Sequence, residues 1–207
     1  MRHHFLPAFL ALALATPFAV LPAPATAQGK IGSPSFQFLK AVEDRDGDTA
    51  TRLIEEGGPI LLNSRGREKG EGALHLVVRE RDPIWLGFLL QKGANPNLET
   101  HEGLTPLMQA TQLGWIEGMD WLIRYKADVD RPNRSGETAL IRAVQLKNQD
   151  AARMLLKAGA DPDHTDSLTG MSARDYAIRD GRSSSMVALL ASEAQPKRKA
   201  AVQGPTL

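Results

Sequence analysis

Acid–base or metal chemistry in this chain would have to use a small number of histidines. Three of them follow residue 27: His75, His101 and His164. The segment "DPDHTD" at residues 161–166 places three carboxylates around His164, a composition that could hold a cation. It lacks the glycine and the distal glutamate of a calcium loop, and two similar segments of the chain read "NPNLET" and "DVDRPN". These comparisons favour a turn, so the sequence predicts no metal site.

The common nucleophile and phosphate-binding classes of enzyme have recognisable motifs, and none occurs in this sequence. The chain has no glycine-rich phosphate loop, no HExxH and no GxSxG. A catalytic triad needs a base, and His101 lies at a predicted turn tip, where it is either free to contact a partner or simply solvated. We therefore predict no catalytic residues, no cofactor and no enzymatic activity.

The overall composition permits one domain with a sizeable core and argues against a nucleic-acid partner. Of the 207 residues, 42% are apolar and 24% are charged, and 25 Lys and Arg balance 24 Asp and Glu. A protein that follows a phosphate backbone needs a basic excess, which is missing here. The chain has no Cys, which excludes disulfides, thiolate metal ligands and a lipid-modified cysteine.

The first 27 residues have the composition of an export signal. Arg2 precedes an apolar run over residues 5–20, and the segment ends in Ala25-Thr26-Ala27, the small-x-small pattern that signal peptidase accepts. We predict a signal peptide at residues 1–27, cleaved after Ala27, and a short linker at residues 28–33. A retained membrane anchor is the alternative, since residues 5–27 are long enough to span a bilayer, but four prolines interrupt them.

A family of similar strings dominates the rest of the chain. "GEGALHLV", "GLTPLMQA", "GETALIRA" and "GMSARDYA" begin at residues 70, 103, 136 and 170, so their offsets are 33, 33 and 34. "FLLQKGANPN", "WLIRYKADVD" and "MLLKAGADPD" follow in phase with the first three, and a weaker copy begins near residue 38. A fixed period of this length is typical of repeat architectures.

Each copy encodes two short helices. In the best preserved copy Thr105 is a helix N-cap and Pro106 occupies the first helical position, while Gly114 ends the helix. A second helix follows, with Met119 and Leu122 on its inward side. Two short helices cannot bury their apolar faces alone, so each copy must stack on the next. The sequence therefore predicts an all-α solenoid.

This pattern resembles the ankyrin repeats in its period, in its Thr-Pro-Leu start and in its Leu-Leu-x-x-Gly-Ala-x-x-Asn close. The resemblance covers residues 34–193 and implies about five repeats, at about 34–66, 67–99, 100–132, 133–166 and 167–193. Each repeat would have a β-turn tip, an inner helix and an outer helix, and His75 would tie its own turn together. Gly72 stands where the family has Thr, and "RGREK" at residues 65–69 is interpreted as an insertion in the first connection.

The last copy has the features of a capping repeat, and the chain beyond it those of a tail. Arg174 replaces the leucine of the other copies, and serines 183–185 begin the outer helix, which gives the polar outer face that an end repeat needs. Residues 194–207 carry Pro, Gly and a Lys197-Arg198-Lys199 run without periodicity. We predict a disordered basic tail there, solvated rather than bound to a partner.

The resemblance also implies a binding surface, because ankyrin repeats bind partners through their turn tips and concave face. Carried over copy by copy, the predicted contact residues are Glu68, Lys69, Glu71, Arg79 and Glu80; His101, Glu102, Leu104, Gln112, Leu113 and Trp115; and Arg134, Ser135, Glu137, Gln145 and Leu146. Leu104, Leu113 and Trp115 would form an apolar hot spot, unless Trp115 folds down over its helix. Trp121 is expected in the core and Trp85 half-buried.

These observations predict a monomeric module that presents a preorganised surface to a folded protein partner. An export signal and a cysteine-free repeat array suit a bacterial envelope, so we expect the periplasm, with secretion as the second choice and no membrane contact after signal cleavage. The expected role is a scaffold or stabiliser of a resident envelope enzyme. The alternative role is an inhibitor, or immunity protein, that occludes the active site of a toxin or enzyme.

Overall fold

The computed structural model describes residues 32–181 and 184–192. The predicted signal peptide at 1–27, most of the linker and the predicted tail at 194–207 lie outside the described residues. The described part contains ten helices: α1 Pro34–Glu43, α2 Gly47–Leu62, α3 Ala73–Arg79, α4 Pro83–Gln91, α5 Pro106–Gln112, α6 Ile116–Arg124, α7 Ala139–Gln145, α8 Gln149–Lys157, α9 Ala173–Asp180 and α10 Ser184–Ser192. None of these ten is long and apolar enough to cross a membrane.

The helices form five consecutive pairs that stack into one array. Helices α1, α3, α5, α7 and α9, here called the inner helices, each contact their inner neighbours, and the outer helices α4, α6, α8 and α10 do the same. The core lies between the two layers, and its largest fully buried side chains are Phe38, Leu62, Leu86, Leu89, Leu107, Met108, Met119, Leu122, Leu140, Ile141, Leu155 and Leu156. The predicted all-α repeat solenoid is confirmed.

Two inner helices begin at threonines that satisfy free backbone N–H groups. Thr105 Oγ1 accepts a hydrogen bond from the Met108 N–H at 3.2 Å, and Thr138 Oγ1 accepts one from the Ile141 N–H at 3.3 Å. Pro106 follows the first of these caps at the first helical position, where a missing N–H costs nothing. An N-cap of this kind stabilises a helix by about 1 kcal/mol, so the predicted helix start is built into the local sequence.

His75 supplies the cap in the repeat that has Gly72 in place of threonine. Its Nδ1 accepts a hydrogen bond from the Gly72 N–H at 3.2 Å, and its Nε2 lies 2.9 Å from the Leu104 carbonyl oxygen. These partners assign the proton to Nε2, which donates to the carbonyl. Burial lowers the pKa of His75, which keeps the ring neutral. The predicted structural role is confirmed, and the same ring also ties this turn to the next repeat.

The turn tips are joined from one repeat to the next by backbone hydrogen bonds. The donating N–H and accepting carbonyl pairs are His101 to Lys69 at 2.8 Å, Arg134 to Glu102 at 3.1 Å and Ser167 to Ser135 at 2.9 Å. This close approach requires glycine: Gly103 has a φ of +78°, and a Cβ there would lie 2.8 Å from the Arg134 nitrogen. The tips are therefore held in a line.

The loops after the outer helices carry a second ladder, made by the repeated Asn and Asp residues. The Asn95 side chain accepts from the Asn97 N–H at 2.9 Å, and the Asp128 side chain accepts from the Asp130 N–H at 3.1 Å. Between repeats, Asn97 accepts from the Asp128 N–H and Asp130 accepts from the Asp161 N–H, both at 2.7 Å. One side chain thus forms the turn and the next one links it to the following repeat.

The extra length of the first connection lies in the outer helix and not in the tip. Helix α2 kinks at Gly58, which has a φ of +66°, and continues through Pro59 for one more turn to Leu62. Ile60 on that turn is 85% exposed. Gly70 meanwhile has a φ of +71° and touches the next tip as the other tip glycines do. The prediction of an insertion at residues 65–69 is therefore wrong, because the glycine–proline kink accommodates the additional residues.

The fifth pair closes the described array with polar contacts. Arg174 Nε donates to the Asp163 carboxylate at 2.8 Å, and its Nη1 donates to the Leu190 carbonyl at 3.0 Å. Ile178 is 64% exposed, whereas Val144 at the same position of the fourth repeat is 5% exposed, because an inner helix follows Val144 and none follows Ile178 in the described chain.

Candidate protein-binding surface

The inner helices expose one side, on which the repeats place three rows of side chains in register. We call these rows, together with the turn tips, the inner face; it is the surface that the sequence resemblance calls concave. The rows are Leu76, Gln109, Arg142 and Tyr176; Arg79, Gln112, Gln145 and Arg179; and Glu80, Leu113, Leu146 and Asp180.

The turn tips border the inner face with charged and polar side chains. Five of the predicted tip residues are exposed and one is half-buried: Glu68, Lys69, His101, Glu102 and Arg134, and Ser135. His101 Nδ1 donates to a carbonyl oxygen of the preceding tip at 3.1 Å. The ring is therefore both exposed and oriented, which an unconstrained loop histidine would not be.

At the second repeat the inner face is charged, and its charges are paired. Arg79 donates to the Glu71 carboxylate at 3.0 Å and lies 3.5 Å from a Glu80 carboxylate oxygen. Arg79 and Glu80 are exposed and Glu71 is half-buried. Exposed pairs of this kind contribute little to stability, so a partner can exchange them for its own charges at small cost.

At the third repeat the inner face is apolar and neutral. Leu104 and Leu113 are half-buried and pack against the core with one side. Gln112 between them in sequence is exposed, while Gln109 one turn earlier is only 9% exposed. The structure thus brings the predicted leucines and Gln112 to one surface.

Trp115 is not part of that surface, which corrects the predicted apolar cluster of three side chains. It is the N-cap residue of α6 and is only 8% exposed. Its ring packs over Gly118, where an added Cβ would lie 2.1 Å from the indole. Because this glycine leaves room, the ring folds down onto its own helix, and the two leucines are at the surface without it.

At the fourth repeat one carboxylate organises the inner face. Glu137 accepts hydrogen bonds from Arg142 at 2.5 Å, from Asn133 at 3.1 Å and from Gln145 at 3.1 Å. Its side chain is only 15% exposed. The network holds its members in one arrangement before any partner arrives, and Leu146 beside it is 50% exposed.

A hollow of about 650 Å³ opens on the inner face between α7 and α9. The lining residues are Val144, Gln145, Lys147, Tyr176, Arg179 and Asp180. Lys147 Nζ lies 2.8 Å from an Asp180 carboxylate oxygen, and the Arg179 guanidinium lies 4.8 Å from the centroid of the Tyr176 ring. Aromatic and arginine side chains are the types that contribute most at protein interfaces.

Only Gln145 of this group is among the predicted site residues. The others carry a signal in the sequence, since Tyr176 and Arg179 lie 34 residues after Arg142 and Gln145 and so share their register. The interpretation of the last copy as a cap drew attention to its missing leucine rather than to the side chains it displays.

Tyr176 is held in place by Asp166 at the base of the fifth tip. Its hydroxyl donates to the Asp166 carboxylate at 2.7 Å, and the Thr169 hydroxyl donates to the same group at 2.8 Å. Burial alone would raise the pKa of Asp166, but hydrogen bonds from Tyr176, Thr169 and Leu168 outweigh it and lower the pKa to about 2. The carboxylate is therefore charged at neutral pH and holds the tyrosine beside the hollow.

The segment at residues 161–166 is a turn in the structure, as predicted. Asp161 accepts from the Asp163 N–H at 3.0 Å, and His164 Nε2 lies 3.1 Å from the Gly136 carbonyl oxygen. Within residues 32–181 and 184–192, no three His, Asp or Glu side chains are grouped so that they could hold a metal ion. What the inner face offers is a preformed pattern of charged, amide and apolar groups for contact with another protein.

Comparison with known proteins agrees with this geometry. Residues 74–166 match the family model of ankyrin repeats, in three copies. The chain is 31% identical over 149 residues to an ankyrin repeat-containing protein of Treponema pallidum, which covers 70% of this chain and 49% of that protein. It is 37% identical over 94 residues to the human transient receptor potential cation channel subfamily A member 1, covering 45% of this chain and 8% of the channel.

A third relative is neurogenic locus notch homolog protein 1 of Danio rerio, 33% identical over 118 residues, with 56% of this chain and 5% of that protein covered. The chain thus spans less than half the length of each of these relatives. Ankyrin repeats generally mediate protein–protein interaction, and the described chain has the five stacked helix pairs, the tip ladder and the exposed inner face of such a module. The chain belongs to the ankyrin-repeat family.

Proposed function

We propose that this protein is a non-enzymatic binding module of the cell envelope, which holds a folded protein partner on its inner face as a scaffold or stabiliser. The observation that carries the proposal is the hollow between α7 and α9, where Tyr176 and Arg179 line a concavity on the inner face. Leu146, half exposed in the same row as Asp180, extends this apolar and cationic area toward the fourth repeat.

The binding energy would come from side chains that are already in place. Tyr176 is fixed by Asp166, and Gln145 is fixed by the Glu137 network. A partner that docks there has to immobilise few side chains, so less of its contact energy is lost to conformational entropy. The paired charges of the second repeat would then set orientation and the rate of encounter more than affinity.

The envelope location rests on the sequence of residues 1–27 and on the absence of Cys from a chain of 207 residues. A repeat array without thiols is indifferent to the oxidising conditions of the periplasm. Expression of the full chain in a Gram-negative host, followed by mass spectrometry of the periplasmic fraction, tests it. We expect a mature protein that begins at Gln28; a full-length chain retained in the cytoplasm would contradict the location.

Affinity capture from envelope extract tests the binding surface. A Leu146→Arg variant places a charge in the centre of the inner face and should lose the captured partner. Ile60→Arg is the matched control, because Ile60 is an 85% exposed aliphatic residue on the kinked end of α2, away from the inner face. Equal capture by both variants and the wild type would place the binding site elsewhere and contradict the proposal.

The captured protein also separates the two roles. If the partner is an enzyme whose half-life at elevated temperature rises in the presence of this chain, the scaffold or stabiliser role is supported. If its turnover falls to zero at a one-to-one ratio instead, the inhibitor role replaces it. A hydrolytic activity of the purified chain alone would contradict both.

A further inference from the structure

The outer helices of the second and third repeats carry an aromatic cluster on the side opposite the inner face. Trp85 and Phe88 meet edge to face with centroids 5.5 Å apart, and Trp121 stacks on Tyr125 at 6.0 Å. All four rings are half-buried. Trp121 is therefore not a core residue, which corrects the prediction from its helical position, and its ring is part of the outer surface.

A hollow of about 430 Å³ lies between α4 and α6 beside this cluster. Its lining residues are Pro83, Ile84, Gly87, Phe88, Gln91, Glu117 and Trp121. Ile84 at its rim is 81% exposed. Gly87 forms the floor, since the Trp121 ring comes within 3.5 Å of the position that a Cβ of residue 87 would take.

The rings next to the hollow already hold cations of the same chain. The Arg45 guanidinium lies 5.9 Å from the centroid of a Trp85 ring, and Lys92 Nζ lies 5.8 Å from that of Phe88. No described cation of the chain lies over Trp121 in this way. This surface is thus suited to cations, and one of its indoles has none.

Trp121 instead has a carboxylate on its free side. Tyr125 follows it by four residues and stacks on the ring, while Glu117 precedes it by four residues and lines the hollow. Residues four apart lie one above the other on a helix, so Glu117 and Tyr125 flank Trp121 from opposite sides. Within residues 32–181 and 184–192, Glu117 is exposed and forms no ion pair, unlike Asp120 on the same helix, which pairs with Arg124 at 2.8 Å.

We propose that this hollow is a second binding site, which takes an arginine side chain from an extended segment of a protein partner. The guanidinium lies on the Trp121 ring and pairs with the Glu117 carboxylate, and its methylene groups pack along Ile84 and Phe88. Arginine fits better than lysine because its planar group stacks on an indole and still donates to a carboxylate. A purely apolar occupant would bury Glu117 without a partner, which is costly.

This site is independent of the inner face. It is built from outer helices α4 and α6, whereas the proposed function uses inner helices α7 and α9 and the tips. The chain could therefore hold one partner on each side, and the failure of one proposal would leave the other standing.

The tryptophan indole N–H signals of the ¹⁵N-labelled mature chain test the proposal. The chain has three Trp, and the signal of Trp121 is assigned by its loss in Trp121→Phe. The probe is a mixture of seven-residue peptides with arginine fixed at the centre and random flanks. The control mixture carries citrulline, which has nearly the shape of arginine but no charge. We expect the arginine mixture to move the Trp121 signal at roughly tenfold lower concentration than the citrulline mixture.

Two variants complete the test. Glu117→Gln keeps the size of an exposed side chain and should bring the two mixtures to within about twofold of each other, since the charge pairing is gone. Leu146→Arg, on the inner face, should leave the arginine preference unchanged. Equal shifts with both mixtures in the wild type, no shift with either, an unchanged preference in Glu117→Gln, or a response confined to Trp85 and Trp115 would each overturn the proposal.

Discussion

Replacing Asp166 by Asn removes one charge from the fifth repeat and leaves a side chain of the same shape. The Asp166 carboxylate accepts hydrogen bonds from the backbone of Leu168 and Thr169 and from the hydroxyls of Thr169 and Tyr176, at 2.6 to 2.9 Å. Asn133 occupies the equivalent place in the fourth repeat, where its carbonyl accepts two backbone N–H groups. The substitution should therefore preserve the turn and remove only the stabilisation due to charge.

The magnitude follows from the pKa of Asp166, which is about 2 in the folded chain against 3.8 for an ordinary aspartate. After allowance for solvent near an exposed tip, this difference corresponds to roughly 1–2 kcal/mol of folding free energy at neutral pH. Because the folded pKa is lowered, the stabilisation is present above pH 3.8 and is lost as the pH falls toward 2. Asp166→Asn should thus be less stable than the wild type at pH 7 and equally stable near pH 2.

Urea unfolding followed by circular dichroism at several pH values measures this difference. The fifth repeat has a neighbour on one side only in the described array, so hydrogen exchange of α9 should report its local opening first. Asp48→Asn, at an exposed position in the first turn of α2, is the control and should stay within about 0.5 kcal/mol of the wild type. A wild-type advantage over Asp166→Asn that is constant from pH 7 to pH 2, or absent throughout, would refute the reasoning.

Three further predictions concern the ladders that join the repeats. Gly103→Ala should cost about 2–4 kcal/mol because its Cβ would meet the backbone of Arg134, whereas Gly170→Ala, with a similar φ and open space, should cost about 1 kcal/mol; equal losses in urea unfolding would contradict this. Burial, followed by nearby carboxylates, raises the pKa of Asp130, so Asp130→Asn should be more stable than the wild type above pH 4 by about 0.5–1 kcal/mol, and a destabilised variant in thermal melts would argue against that repulsion. Burial lowers the pKa of His75 from 6.5, so wild-type stability should fall as the pH drops below 6.5, with a slope of at most about 1.4 kcal/mol per pH unit that His75→Asn lacks.

Much of the fold could be predicted because each repeat is specified by short-range signals. The N-cap of Thr105, the first-turn proline after it and the periodic leucines define the helices locally, and the period of 33 residues repeats this unit. The ladder of Asn97 and Asp130 recurs with the same period, so even the contacts between neighbouring repeats are visible as sequence identity. Repeat proteins make contacts almost entirely between adjacent units, which is why periodicity carries so much of their structure.

The candidate site could be predicted only in part. Register correctly placed Leu104, Glu137 and Leu146 on one surface, because positions repeat along an inner helix as they do along the chain. The hollow at Tyr176 was missed, since it requires two repeats to be considered together and the last one had been interpreted as a cap. The contacts of a surface side chain with its neighbour one repeat away are not a property of its own helix.

The sequence by itself determined the repeat, the order of its helices and the residues that face the core, because local propensity and periodic burial are both written along the chain. The exposure of individual tryptophans was decided only in three dimensions. Trp115 turns inward because Gly118 leaves a space beneath it, and Trp121 lies at the surface against Gly87 of the preceding repeat. A missing side chain on the neighbour sets where each ring packs, and that depends on the packing of one helix against another rather than on the ring's position in its own helix.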